Sequence, residues 1–362
     1  MSSSKSVHDS VKRTVLVTGG CGFLGEEVIR SFLSRGFLVR SFDKVSPQHR
    51  LDDVDYIIGD ARDEDAVRSA LRGISIVIHA VAAVPLRKSA IEFREVNLEA
   101  TRLALRLSNE AGAERFVYIS SSAVYGIPEH NPVEENDPRV PVEEYGRTKK
   151  EAEDFCSSFS LRNQIDVSVV RPRTILGPGR LGIFGLLFEW VSDGASVPVI
   201  GKGENVYQFV HVVDVAEAVA KISLLEGSYT FNIGGGKPDT MADALGALCA
   251  HANTEARTFR MPKILFSALS WAMSVLRISP LAPYHWLLFG ETLYFSGRKV
   301  ERELAWRPQF SSTEALIASY DSYVRTSRQE TTGDFSPHRS VPRQRFLKVF
   351  QMISKLLFSG RH

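Results

Sequence analysis

Apolar residues recur in two alternating rhythms along the first half of this chain. Short runs rich in β-branched and aromatic residues read as buried strands: Thr14 to Thr18, Phe37 to Phe42, Val54 to Gly59, Ile74 to Ala80, Arg115 to Ser120 and Ile165 to Val170. Between them, apolar positions three and four apart read as amphipathic helices: Phe23 to Leu33, Glu64 to Leu71, Phe93 to Ala111 and Tyr145 to Phe159. Strands alternating with helices, without hairpin signals, predict right-handed βαβ units and a parallel sheet covered on both faces. After Arg171-Pro172 the pattern changes. A turn at Gly177-Pro178-Gly179, a short helix Phe184 to Trp190 and a strand and turn Val197 to Gly203 precede strands Phe209 to Val213 and Tyr229 to Ile233. Helix Val215 to Leu225 lies between those two strands, and Gly234-Gly235-Gly236 opens a mostly helical region reaching about Ser327.

The predicted fold class is therefore α/β, a doubly wound parallel sheet with a smaller, mostly helical lobe. Residues 1–13 read as a disordered N-terminus and 14–172 as a nucleotide-binding domain to which 207–233 return. Residues 173–206 and 234–327 read as a substrate-binding lobe. Residues 328–362 read as a basic linker and an amphipathic C-terminal helix.

The first strand breaks into glycines at Gly19, Gly22 and Gly25, with Phe23 and Leu24 opening the helix that follows. In a strand-turn-helix such glycines permit a tight turn, close backbone approach to a pyrophosphate and close helix-strand packing. The helix N-terminus offers unpaired N–H groups to the phosphates. The next strand ends at Asp43, the spacing expected of an acid that accepts hydrogen bonds from a ribose hydroxyl pair and repels a 2′-phosphate. This combination predicts a Rossmann-type site for a dinucleotide, NAD rather than NADP.

Charge and cysteines narrow the picture. The net charge of +2 gives no reason to expect nucleic acid, and three widely spaced cysteines form neither a metal-ligand spacing nor an even disulfide set. No metal is expected, and a reducing, cytoplasmic location is. The polar N-terminus lacks the apolar core of a signal peptide, and the apolar-rich stretch Ile264 to Leu276 is too short to span a bilayer. Arg325 to His362 carries eight Lys/Arg against two Asp/Glu. Within it, 343–358 places Phe346, Val349, Phe350, Ile353 and Leu357 on one helical stripe. Such a segment docks on the chain's own surface, pairs with a second subunit, or makes peripheral contact with an anionic membrane.

The catalytic signal is Tyr145 and Lys149, four residues apart on one helix, so that phenol and ammonium share a face. A phenol is a poor base at neutral pH, and a neighbouring cation favours its ionised form. Ser120, Ser121 and Ser122 end a predicted parallel strand, where ligands bind in such sheets, and a serine there can hydrogen-bond the oxygen that Tyr145 deprotonates.

Several motifs in order resemble the extended short-chain dehydrogenase/reductase superfamily, in its NAD-dependent epimerase/dehydratase family. They are the glycine turn Thr18 to Gly25, Asp43, Gly59-Asp60, His79 to Ala83, and Asn97 within Val96 to Thr101. Ser120 to Gly126, Tyr145/Lys149, Arg171-Pro172 with Gly177 to Gly179, Val210 to Val215, and Leu304 to Pro308 complete the series. The resemblance implies Tyr145 as general base and acid, Lys149 as its electrostatic helper and ribose anchor, and Ser121 as the substrate-orienting hydroxyl. It places Asp60 and Ala61 at the adenine, Ala80, Val81 and Ala82 along the nicotinamide half, and Asn97 within the cofactor set. It also implies a homodimer through the helices at Phe93–Ala111 and Tyr145–Phe159.

Departures from the family pattern matter as much. Sugar 4,6-dehydratases carry an Asp-Glu pair where this chain has Ser122 and Ala123, so the acid-base pair for water elimination is missing. Nucleotide-sugar members usually show Asn where Thr174 stands and an Arg where Tyr207 stands; Arg173 or Arg180 are the substitutes at hand. With Ser121 and Ser122, these four make the expected substrate set. The expected function is NAD-dependent hydride transfer at a carbinol carbon of a small molecule, by a nucleotide-sugar (4-)epimerase or dehydrogenase. The alternative resembles the 3β-hydroxysteroid dehydrogenases and takes an apolar alcohol; the apolar run 262–276 with 281–289 suits either ordinary core, the better reading for such stripes, or a wall for that alcohol. A second alternative is a non-catalytic NAD-binding sensor or scaffold.

Overall fold

The computed structural model describes residues 13–84, 89–182, 184–266 and 290–327. The N-terminal segment 1–12, most of the expected apolar wall and the C-terminal segment 328–362, with its amphipathic stretch 343–358, lie outside the described residues.

Strands β1 (Thr14–Thr18), β2 (Leu38–Asp43), β3 (Val54–Ile58), β4 (Ile76–His79), β5 (Arg115–Ile119) and β6 (Asp166–Pro172) alternate with helices. These are α1 (Phe23–Leu33), α2 (Glu64–Ala70), α3 (Ala90–Phe93), α4 (Ala100–Glu110) and α5 (Glu144–Ser160). Beyond them come β7 (Thr174–Leu176), α6 (Phe184–Ser192), β8 (Val197–Ile200), β9 (Val206–Tyr207), β10 (Phe209–His211), α7 (Val212–Ile222) and β11 (Thr230–Ile233). Then follow β12 (Asp239–Thr240), α8 (Met241–Ala252), β13 (Thr258–Met261), α9 (Arg298–Leu304) and α10 (Ser312–Ser327).

The main sheet runs β11-β6-β5-β4-β1-β2-β3, parallel at each pairing. Its central strands are buried on both faces, which is why β1 and β4 read as unbroken apolar runs rather than alternations. One face is covered by α1 and α7, whose stripes Val28, Ile29, Phe32 and Val215, Val219, Ile222 close a single core. The other is covered by α2, α4 and α5. The chain winds outward from β1 through β2 to β3, then crosses to β4 on the other side of β1. That reversal opens a crevice at the carboxyl ends of β1 and β4, the place where ligands bind in such sheets.

A separate core of Leu176, Phe184, Phe188, Phe209, Leu248, Leu316 and Tyr320 joins β7, α6, β10, α8 and α10. Long-range hydrogen bonds tie it to the main body. Ser319 and Ser322 of α10 accept from the N–H groups of Gly177 (2.7 Å) and Gly179 (3.0 Å), and Asp214 accepts from Gln309 and Phe310 (2.9 and 3.2 Å).

One expectation is corrected. Of 207–233, β11 joins the main sheet and α7 packs against it, but Phe209–His211 pairs with Thr174–Leu176 in a two-stranded sheet of its own. Strand β6 already has β5 and β11 on its two edges, so no main-sheet edge is left there for β10. The strand also stops earlier than its apolar run, because His211 Nδ1 accepts from the N–H of Val213 and caps α7. Among the described residues the smaller lobe is mostly helical, as expected, and it also contains the parallel pair β8·β13. Only Met261 of β13 is fully buried, so its sequence carries little strand signal.

Candidate active site at the sheet crossover

The crevice is lined first by backbone. Gly19 has φ +72°, and a Cβ there would stand 3.0 Å from the Ala80 carbonyl and the Val81 nitrogen; a Cβ on Gly25 would collide with the Gly19 carbonyl oxygen. The turn after β1 and the segment after β4 thus pack with no room for a side chain. Gly22 is the N-cap of α1 and supplies no side-chain cap, so the helix start offers its first N–H groups as helix termini do. Phe23 is buried and Leu24 half-buried behind them. At the end of β2 the Asp43 carboxylate accepts from the N–H groups of Cys21 (3.1 Å) and Val45 (3.2 Å). Burial raises its pKa, while those bonds and Lys44 pull it back. A cradle that admits only glycine, an uncapped helix start and a carboxylate one strand over are what a dinucleotide's pyrophosphate and ribose require.

The other expected cofactor residues line the same edge. Asp60 follows β3, where Arg62 grips it at 2.7 Å and holds its carboxyl below the usual range; Ala61 beside it is buried. Ala80 and Val81 abut Gly19, and Ala82 is exposed. Asn97 occupies a π-helical turn, Arg94–Glu99, that breaks the expected Phe93–Ala111 helix into α3 and α4. Its amide forms a two-point clamp on Ala83, accepting the N–H at 2.8 Å and donating to the carbonyl at 3.1 Å, and it reaches Thr148 of α5 at 3.4 Å. Asn97 therefore fastens the segment after β4 to the helix that carries Tyr145.

Helix α5 begins at Glu143, whose carboxylate accepts from the N–H groups of Tyr145 and Gly146, each at 2.7 Å. Its buried stripe is Tyr145, Thr148, Lys149, Ala152, Glu153 and Cys156. Ser121 follows β5; its hydroxyl accepts from the N–H of Ala123 at 3.1 Å and lies close enough to the Tyr145 phenol to bear on its ionisation. Burial pushes that phenol up to about 12; Ser121 and the charge of Arg180 work against the rise. Arg180 stands over the Phe23 ring, its Cζ 5.6 Å from the centroid. The Lys149 ammonium donates to the Ile119 carbonyl at 2.8 Å and lies 4.7 Å from the centroid of Tyr118. Burial pulls its pKa down to about 7, with Glu153 holding it up. Expected to share a helix face with the phenol, the ammonium is anchored on the Ile119 carbonyl of β5.

Below lies His79, fully buried, with Nδ1 2.9 Å from Thr18 Oγ1 and Nε2 without a partner. Burial and the Lys149 charge lower its pKa to about 3, so the ring is neutral.

The expected substrate residues form a connected row. Arg173 Nη1 donates to Ser122 Oγ at 2.8 Å, the Arg173 guanidinium lies 4.5 Å from the Tyr207 ring centroid, and Tyr207 Oη is 2.9 Å from Thr174 Oγ1. A second set escaped sequence reasoning. Glu153 is bound by Arg171 (Nη2 to Oε2, 2.7 Å) and Arg139 (2.8 Å), and Arg171 also donates to Tyr125 Oη at 2.6 Å. This network locks the turn after Ser121 to α5 and β6. The signal that could have found it is the spacing: Glu153 lies eight residues beyond Tyr145, on the same helix stripe. Among the described residues no cluster of His, Cys, Asp and Glu could hold a metal, the three cysteines are free and buried, and no helix is long and apolar enough to cross a membrane.

Comparison with known proteins places this geometry. The family model for the NAD dependent epimerase/dehydratase family matches residues 15–234. An uncharacterized protein of Sinorhizobium fredii, y4nG, is 38% identical over 96% of this chain and 88% of its own length. A 3 beta-hydroxysteroid dehydrogenase/Delta 5-->4-isomerase of Mycobacterium tuberculosis is 29% identical over 86% of this chain and 90% of its own. Among solved structures, Thermus thermophilus UDP-glucose 4-epimerase in complex with NAD is similar at a TM-score of 0.70 and 25% identity, covering 86% of this chain and 99% of that one. From the family match and the glycine cradle beside Asp43, the chain belongs to the NAD-dependent epimerase/dehydratase family of extended short-chain dehydrogenase/reductase enzymes, and NAD is its cofactor.

Proposed function

We propose that this chain moves a hydride at a carbinol carbon of a small-molecule substrate, with Tyr145 as general base and acid, Ser121 orienting the reacting oxygen and Lys149 as electrostatic helper. The observation that carries the reading is the buried Tyr145 phenol at the crevice edge with Ser121 close enough to bear on its ionisation. Two hydroxyls so placed can both address one substrate oxygen, one taking its proton and the other fixing its position. Bound NAD supplies the hydride acceptor and, once reduced, the donor.

The phenol, pushed up to about 12, is neutral at physiological pH. It becomes a base only as positive charge gathers around it, which is the task of Arg180 and of Lys149 in its protonated form. Dehydration is disfavoured by the residues themselves. The Ser122 hydroxyl is engaged by Arg173, and Ala123 offers no acid or base. The remaining chemistry is oxidation, optionally followed by reduction from the other face, and the favoured substrate class is a nucleotide sugar, handled by an epimerase or dehydrogenase. The family description and the epimerase likeness support it.

The second reading is a 3β-hydroxysteroid-dehydrogenase-like enzyme for an apolar alcohol. The mycobacterial relative supports it, as does the Thr174–Tyr207 hydrogen bond where nucleotide-sugar members usually carry Asn and Arg. One experiment separates the two. The purified enzyme is given UDP-sugars or 3-hydroxysteroids, with and without added NAD, while NADH absorbance is followed. An epimerase converts sugar without releasing NADH; stoichiometric NADH release with a steroid selects the second reading. In either case Tyr145→Phe keeps NAD binding and lowers turnover roughly 10²–10⁴-fold; near-normal turnover would remove Tyr145 from its role.

A further inference from the structure

Two arginines leave β6 two residues apart, and the fold treats them oppositely. Arg171 is fully engaged, on Glu153, on Tyr125 and on the Glu135 carbonyl. Arg173, only 3% exposed, makes a single hydrogen bond through Nη1 to Ser122 Oγ; its Nε and Nη2 have no partner. No carboxylate pairs with it among the described residues. A buried guanidinium without a counter-ion is costly, and a fold that keeps one has another use for it.

The position of the two idle donors says what that use is. The N–H of Nε and the outer N–H of Nη2 lie in one plane on one edge of the guanidinium, spaced to meet both oxygens of a carboxylate. The Tyr207 ring covers one face at 4.5 Å, and Phe295 stands at 6.0 Å, so the edge lies in a water-poor setting where a charge pair is strong. The place is close to the chemistry. Ser122, which holds Nη1, follows Ser121, which bears on the ionisation of the Tyr145 phenol. We infer that the substrate carries a carboxylate close to its reacting carbinol, received side-on by Nε and Nη2 of Arg173. The inference rests on the reading of Tyr145 and Ser121 given above and adds the substrate's charge to it. A nucleotide diphosphate is the other anion that could reach an arginine, and the test separates the two.

Binding to the NAD-loaded chain is measured for UDP, UDP-glucose and UDP-glucuronate, and for a 3-hydroxysteroid-4-carboxylate against its methyl ester. In one scaffold the acid binds roughly 10–100-fold more tightly than its neutral counterpart, the loss expected for one charge-assisted contact. Arg173→Gln abolishes that preference and leaves NAD affinity unchanged, while Arg173→Lys, which keeps charge but not the fork, recovers only part of it. Equal binding of acid and neutral forms in both scaffolds overturns the inference, as does an equal loss of UDP, UDP-glucose and UDP-glucuronate in Arg173→Gln, which would assign Arg173 to the diphosphate. Turnover of the neutral form would still uphold the reaction, whereas an Arg173-dependent acid preference with turnover intact in Tyr145→Phe would sink the reaction and keep the anion site. A ligand-free measurement stands beside these. Arg173→Met leaves the melting temperature unchanged or raises it by about 2 °C, since an unpaired buried charge is removed. A fall as large as that of Arg171→Met would make Arg173 a structural anchor and overturn the inference.

Discussion

Glu153→Gln tests whether the network beneath the site acts as a buried ion pair. The Glu153 side chain is 1% exposed and that of Arg171 6%, so neither charge has water to fall back on. Glu153 accepts from Arg171 Nε and Nη2 and from Arg139 Nη1. Glutamine keeps the shape but removes the charge, leaving Arg171 buried without a counter-ion; Arg139, 25% exposed, can turn to solvent. Removing one partner of a buried pair costs about 3–5 kcal/mol, against about 0–1 for a surface pair. With an unfolding entropy of about 2.1 cal/mol/K per residue over roughly 300 residues, that lowers the melting temperature by about 5–8 °C. Calorimetry on the ligand-free chain measures it. The double variant Glu153→Gln/Arg171→Met removes the orphaned charge as well and regains most of the loss, giving a large coupling energy in the cycle. A loss below about 1 kcal/mol for Glu153→Gln would contradict a buried ion pair, because it would place these side chains in the energetic class of exposed ones.

Two further outcomes concern Asp43 and Lys149. Asp43→Ser, with an arginine introduced beside it, reduces or reverses the preference for NAD over NADP, read from the two dissociation constants; equal affinities in the unaltered enzyme would contradict the role given to Asp43. Lys149 binds its proton less readily in the folded chain, near pH 7, than in the unfolded chain, near 10.5, so its contribution makes stability rise with pH across that window. Lys149→Met flattens this part of the stability–pH profile in denaturant titrations, and an unchanged slope would argue that the ammonium is not buried.

Much of this architecture was legible because it is local. The α1 stripe gives its own boundaries, and the glycine turn with Asp43 announces a crevice before any contact is known. What stayed hidden depends on partners far along the chain. Glu153, in a run with Lys149, Lys150 and Glu151, looks like part of a solvated charged face until Arg139 and Arg171 are seen to surround it. The π-helical turn at Arg94–Glu99 has no pattern of its own; it is held where Asn97 meets Ala83 and Thr148. The pairs β7·β10 and β8·β13 join strands of three or four residues, too short for period-two alternation to stand out. At the site itself, Ser121 bears on the ionisation of the Tyr145 phenol, while Lys149 reaches its place through a strand carbonyl that no motif records.

The serines of α10 that hold the Gly177–Gly179 turn have a consequence for how the enzyme comes into being. Ser319 is 142 residues distant from Gly177 along the chain, and Leu316 and Tyr320 complete the core around Phe188 and Phe209. A ribosome delivers Ser121, Tyr145 and Lys149 well before it delivers this helix. Until α10 docks, the turn leading to Arg180 lacks these two acceptors and the aromatic residues behind it face water. Closing so long a loop is entropically slow beside the formation of the βα units, so the dinucleotide crevice forms early and the substrate side late. The interval between them is when the nascent chain most needs protection from aggregation, and it lasts until the last turns of α10 have emerged.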